Sequence, residues 1–88
     1  MSKSAKVAIV TGGGQGLGRG IAIALSAAGF RVAILGRTLS KLEATAELCA
    51  GECLCLSCDL VDPEQVRQAF AKVDAAFGRL QRAVAYAE

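Results

Sequence analysis

Histidine and tryptophan are absent from this chain of 88 residues, which also holds only one tyrosine and three phenylalanines. The few aromatics, together with the lack of any dense basic run, argue against a nucleic-acid surface, although the formal net charge is +2. Long apolar runs are missing as well. Lys3 and Lys6 precede an apolar stretch, but Val7–Val10 is too short for a signal-peptide core or a membrane span. The expected location is therefore the cytoplasm, with neither nucleic acid nor membrane as partner. What is present is 53% apolar and 20% charged residues, the composition of one small folded domain over residues 1–88 and not of a disordered chain.

Four cysteines, Cys49, Cys53, Cys55 and Cys58, raise the question of zinc or disulfides. Cys53–Cys58 reads as a strand, on which Cys53 and Cys55 face one side and Cys58 the other. Four ligands do not converge from that arrangement, and no histidine is there to help. Core packing by small apolar thiols is the expectation, with no metal.

The patterning alternates strands with helices. Lys6–Thr11 is a β-branched apolar run that ends in glycines, as a buried strand would. A helix follows from Gly16, with Leu17, Ile21, Leu25 and Ala28 at helical spacing and Gly29 in the position of a terminating glycine. Arg31–Leu35 is a second strand. Ser40 offers an N-cap, Glu43 completes a capping box, and Leu42, Ala46 and Cys49 give that helix its apolar face. Cys53–Cys58 is the third strand. Asp62 caps a third helix with Pro63 at its first position; Val66, Phe70, Val73 and Phe77 are its buried stripe, and Gly78 ends it. Ala83–Ala87 is a short fourth strand. The order β-α-β-α-β-α-β predicts an α/β fold, a partial doubly wound parallel sheet of Rossmann type with strand order 3-2-1-4. In that order the first two helices cover one face and the third covers the other.

Thr11-Gly12-Gly13-Gly14-Gln15-Gly16-Leu17-Gly18 lies between the first strand and the first helix. Phosphate needs backbone N–H donors at close range, and glycine removes the Cβ that would stand in the way. The helix N-terminus adds roughly half a positive charge toward the same anion. No Gly-Lys-Ser/Thr follows, which excludes a Walker A loop, and every register of G-x-G-x-x-G misses its third glycine. The spacing that fits is T-G-x-x-x-G-x-G, through Thr11, Gly12, Gly16 and Gly18. A tight turn that only packs the helix on the sheet is the other reading of these glycines.

That motif in a strand–loop–helix setting resembles the short-chain dehydrogenase/reductase family. The resemblance implies a dinucleotide held by Thr11, Gly12, Gln15, Gly16, Leu17 and Gly18. Gly36-Arg37 follows the second strand, where NAD-preferring relatives carry an acid for the ribose 2′-hydroxyl. With glycine in that place and Arg37 beside it, a 2′-phosphate would be paired, which implies NADP over NAD. Gln15 stands where many NADP-using relatives have a basic residue, and a solvated arginine is the other reading of Arg37. Asp59-Leu60 follows the third strand, where relatives hold the adenine; the alternative is a turn residue capping nearby backbone. Phe77-Gly78-Arg79-Leu80 matches a regional F-G-x-L pattern.

The family pattern then breaks. Where relatives have N-N-A-G after the fourth strand, this chain has Ala85-Tyr86-Ala87-Glu88, in which only Ala87 matches. The serine, the Tyr-x-x-x-Lys pair and an asparagine carry the chemistry in relatives, and Tyr86, followed by two residues, cannot belong to that pair. No catalytic residue is expected within these 88 positions, which correspond to about a third of a typical member. Three readings stay open: the cofactor-binding part of an NAD(P)-dependent oxidoreductase, a non-catalytic nucleotide-binding or interaction module, and a non-functional truncated product. An uncovered sheet edge and apolar face would favour self-association.

Overall fold

The apolar run Val7–Thr11 is buried on both faces, the state expected of a central strand in a parallel sheet. The computed structural model describes residues 6–12, 14, 16–77 and 82–86, the last five by backbone alone. Over these residues the elements follow as β1 (Val7–Thr11), α1 (Gly16–Ala27), β2 (Arg31–Gly36), α2 (Leu39–Leu48), β3 (Cys53–Ser57), α3 (Pro63–Phe77) and β4 (Arg82–Tyr86). The strands form one sheet in the order β3-β2-β1-β4, with every pair parallel. Thr11 lies opposite both Leu35 and Tyr86, and Leu35 lies opposite Leu56. The strands therefore finish nearly level, and their C-terminal ends form one rim.

Alternation along the strands divides the core into two layers. Val7, Ile9, Ala33, Leu35 and Cys58 face α3, which supplies Ala69 and Val73 with Val66, Phe70 and Phe77 at the margin. Val10, Val32 and Ile34 face α1 and α2, which supply Ala22 and Leu42, with Cys53 and Cys55 of β3 beside them. The two helices on one face and one on the other, and the split of the thiols between the layers, agree with the expectation. Burying a side chain such as Val73 contributes about 1.5–3 kcal/mol.

The helix starts and faces differ in detail from the sequence reading. α2 begins at Leu39 with Thr38 as its N-cap, and the Thr38 side chain makes no cap hydrogen bond. The capping box expected of Ser40 and Glu43 is therefore not the start signal. The turn is closed instead by backbone, with the Lys41 and Leu42 N–H groups donating to the Thr38 carbonyl at 3.0 and 3.3 Å. In α1 the buried line is Gly18, Ala22 and Ser26, and Leu17 is exposed. Small side chains let this helix approach the sheet closely, and Ile21 and Leu25 flank the contact. Thr45 is fully buried on α2, a position without an apolar signal in the sequence.

The other ends follow their sequence signals. Gly29 has φ +99 and its N–H donates to the Ser26 carbonyl, while the Phe30 N–H donates to the Leu25 carbonyl, each at 3.1 Å. This is a Schellman ending for α1, with Phe30 and Leu25 packed on the same cluster. Asp62 caps α3 through its Oδ1, which accepts from the Glu64 N–H at 3.0 Å. At the rim where the strands begin, Arg31 Nε pairs with Glu52 Oε1 at 2.9 Å and Nη1 donates to the Phe77 carbonyl at 3.3 Å. The same guanidinium lies 5.4 Å from the Phe77 ring centroid. One arginine thus joins β2, the approach to β3 and the end of α3.

Candidate functional site

At the opposite rim β1 runs out at Thr11, and Gly12 turns the chain with φ +73. Its N–H donates to the Leu35 carbonyl at 2.9 Å, which ties the glycine turn to the end of β2. Gly16 opens α1 with φ +61, a conformation that side-chain-bearing residues rarely adopt. A Cβ placed there would meet no atom within 4 Å apart from its chain neighbours and its own helix backbone. No acidic residue stands in the first turn of α1 to offset the positive end of the helix dipole. Thr11 Oγ1 is buried and has no hydrogen-bond partner among the described residues. A polar atom in that state beside an open glycine turn fits a ligand with hydrogen-bonding groups.

A cavity of about 280 Å³ lies beside this turn. Gly12 and Gly14 form one wall, and Gly36, Arg37 and Thr38 form the other, with Lys41 and Leu42 from the first turn of α2 behind them. The walls are in close contact: a Cβ on Gly14 would lie 3.1 Å from the Lys41 Cβ, and one on Gly36 would lie 3.1 Å from Leu42 Cδ2. Arg37 is exposed at the mouth. Its carbonyl accepts a long hydrogen bond from Ser57 Oγ at 3.4 Å, linking the ends of β2 and β3. Two cations and a glycine turn around one cavity suit an anionic ligand that is extended enough to touch both walls.

The structure brings Gly12 and Arg37 together around that cavity, and Thr11, Gly16, Leu17 and Gly18 adjoin it along the chain. Leu17 is exposed and Gly18 is buried against the sheet. Asp59 and Leu60 lie on the same rim, after β3, but do not line the cavity. Asp59 Oδ1 accepts from the Val61 N–H at 3.0 Å, and the Asp59 N–H donates to Gln65 Oε1 at 2.8 Å. Its carboxylate thus serves the turn that leads into α3, while the Leu60 side chain packs on the α3 layer. Gln15 and Ala87, also expected in the site, lie outside the described residues, as do Gly78–Leu80 of the regional match.

Sequence reasoning missed Lys41 as a cavity residue. A lone lysine in the first turn of a helix carries no motif that separates it from a solvated surface charge, and only the packing of α2 on the glycine turn brings it to the cavity beside Arg37. The cysteines are free. Burial, reinforced by the neighbouring Cys49, pushes the Cys53 thiol up to about 12, and burial also raises Cys55 and Cys58. None of these three is a thiolate near neutrality. Among the described residues no group of three or more potential ligands could hold a metal ion, and no helix is long and apolar enough to cross a membrane.

A parallel α/β sheet with a glycine turn and a cavity at its C-terminal rim defines a nucleotide-binding class of fold. The short chain dehydrogenase family model matches residues 6–87, and the chain belongs to that family. It is 44% identical over 78 residues to a probable 2,4-dienoyl-CoA reductase of Caenorhabditis elegans, a match covering 84% of this chain and 25% of that protein. A metagenomic short-chain oxidoreductase solved in complex with NADP superposes with a TM-score of 0.82 at 33% identity, over 90% of this chain and 37% of that one. A 3-ketoacyl-(acyl-carrier-protein) reductase from Brucella melitensis, complexed with NADH, gives 0.80 at 30% identity, over 90% and 32%. The chain therefore spans about a quarter to just over a third of the length of these relatives.

Proposed function

We propose that this chain is the cofactor-binding part of an NAD(P)(H)-dependent short-chain oxidoreductase that interconverts alcohols and carbonyls, with a preference for NADP. The observation that carries the reading is one cavity lined by the glycine turn on one side and by Gly36, Arg37 and Lys41 on the other. Backbone N–H groups at the start of α1 would take the pyrophosphate, with Gly12, its own N–H bound to the Leu35 carbonyl, turning the chain beside it and Gly16 leaving the approach open. Thr11 Oγ1, without a partner among the described residues, would hold the turn or the ligand. Arg37 would take the 2′-phosphate, a contact for which glycine at 36 leaves no competing carboxylate. Asp59 and Leu60 would border the adenine from the β3 side, and Gln15, Leu17, Gly18 and Ala87 complete the proposed set. The nicotinamide supplies hydride transfer when bound; these residues bind and orient it.

Titration calorimetry with NADPH and NADH tests this directly. Binding of NADPH that is at least about tenfold tighter than that of NADH, the equivalent of 1.4 kcal/mol, is the expected outcome. Tighter binding of NADH would overturn the preference, and binding of neither by the folded chain would overturn the site.

A further inference from the structure

Three of the four thiols gather away from the glycine cavity. Cys53 and Cys55 pack from β3 against the cluster that contains Ala22. Cys49, the residue that ends α2, reaches the same place, with its Sγ 3.9 Å from the Ala22 carbonyl oxygen. The Cys53 thiol lies within hydrogen-bonding reach of both Cys49 and Cys55. All three are partly exposed, Cys53 and Cys55 because β3 stands at an edge of the sheet. Cys58 faces the other layer and is buried.

Geometry rules out one pair. Cys53 and Cys55 are two residues apart on one strand, so their Cβ atoms are separated by roughly 6.6 Å and point in parallel. A disulfide needs about 3.8 Å between Cβ atoms. Cys49 comes instead from a separate segment, across the turn at 50–52. That turn is held in place, since the Gly51 N–H donates to Ser26 Oγ at 2.8 Å and the Glu52 carbonyl accepts from the Val32 N–H at 3.1 Å. Cys49 can therefore meet Cys53 without crossing the strand.

We propose that Cys49 and Cys53 form a dithiol–disulfide modification site whose oxidant is a small-molecule disulfide of the glutathione type. The Cys49 thiolate attacks one sulfur of that disulfide, forming a mixed disulfide and releasing one small thiol. Cys53 then attacks the Cys49 sulfur, the Cys49–Cys53 bond forms, and the second small thiol leaves. Two protein thiols are oxidised, one small disulfide is reduced, and the two protons depart with the small thiols. Burial keeps Cys53 protonated, which makes it a poor first nucleophile; its part is the second, intramolecular attack, where proximity compensates.

The test treats the folded 88-residue chain with excess oxidised glutathione, blocks free thiols by alkylation and cleaves after glutamate. Cutting at Glu52 leaves Cys49 and Cys53 on different peptides unless a disulfide joins them. The expected result is a joined pair in the wild type, with an intact mass lower by about two units for the two hydrogens lost. The join persists in Cys55→Ser and Cys58→Ser and disappears in Cys53→Ser, which stops at the mixed disulfide on Cys49. Circular dichroism checks that each variant is folded, and Cys53→Ala, which keeps the apolar packing, stands in if the serine variant is not. A join that is lost in Cys55→Ser or Cys58→Ser, one that links two chains, or a wild type that halts at the mixed disulfide would overturn the proposal.

Discussion

Where the strands begin, Arg31 pairs with Glu52, meets the Phe77 carbonyl and covers the Phe77 ring, so that every partner is part of the chain. Where they finish, Gly12 and Gly16 hold positive φ angles, Thr11 Oγ1 has no partner among the described residues, and Arg37 is exposed. Both rims carry an arginine at an end of the same strand, β2. The difference is what surrounds it: an acid and an aromatic at position 31, glycines and a second cation at 37. One arginine is engaged by the fold and the other is exposed at the cavity, where the proposed function gives it a ligand.

The two rims differ most in what a substitution at Gly16 should do. A β-branched residue at φ +61 is strained although the space beside it is open, and its side chain would occupy that space. Gly16→Val should weaken NADPH binding by roughly 100-fold or more, the scale of losing charge-assisted hydrogen bonds. Helical content by circular dichroism should stay close to that of the parent. Equal binding by both forms would remove the phosphate assignment.

Arg37→Ala sharpens the contrast next. Loss of a contact worth about 1.5–3 kcal/mol should narrow the NADPH-to-NADH gap by roughly 10- to 100-fold, through weaker NADPH binding, with the melting temperature nearly unchanged. The mirror experiment is Arg31→Ala. It should cost about 1–2 kcal/mol of stability, from a partly exposed ion pair and a cation–π contact, and leave both cofactor affinities as they were. If Arg31→Ala lowers affinity, or Arg37→Ala lowers stability, the two rims are not separate in role.

The smallest effect is one of pH at the clasped rim, where β3 starts at Cys53. Burial raises the folded thiol to about 12, above the 9.0 of the free group. Between these values the unfolded chain gives up the proton and the folded chain keeps it, so stability is full below pH 9 and falls as pH rises toward 12. Because the thiol is partly exposed, the slope is screened to below about 1 kcal/mol per pH unit. Denaturant titrations at pH 8 and pH 10.5 should show the loss in the parent and a smaller one in Cys53→Ala.

Much of this was legible in the chain itself where one signal dominates. Gly29 and the Asp62-Pro63 pair end and start helices as their chemistry requires, and the alternation of Cys53, Cys55 and Cys58 places the thiols in two layers. Signals that compete were harder. Ser40 and Glu43 form a capping box on paper, but α2 starts at Leu39, because backbone donors to the Thr38 carbonyl close the turn without them. Leu17 looked like core, yet close packing of α1 selects Gly18, Ala22 and Ser26 and turns the larger residue outward. The glycine turn was readable as a candidate site from its spacing, and Arg37 through the family resemblance; Lys41 was not, since a lone lysine at a helix start carries no motif.

Leu42 ties the two walls of the cavity to each other. Its Cδ2 would lie 3.1 Å from a Cβ on Gly36 and 3.5 Å from a Cβ on Gly14, so one methyl group is wedged between two positions that differ by 22 in the sequence. A redesign that adds a side chain at Gly36 to change the choice of cofactor would push that methyl toward the glycine turn. Its consequences would be epistatic: the same substitution would behave differently with leucine or with a smaller residue at 42. If the proposed cofactor site holds, positions 36 and 42 should be varied as a pair, because selection at one is read through the other.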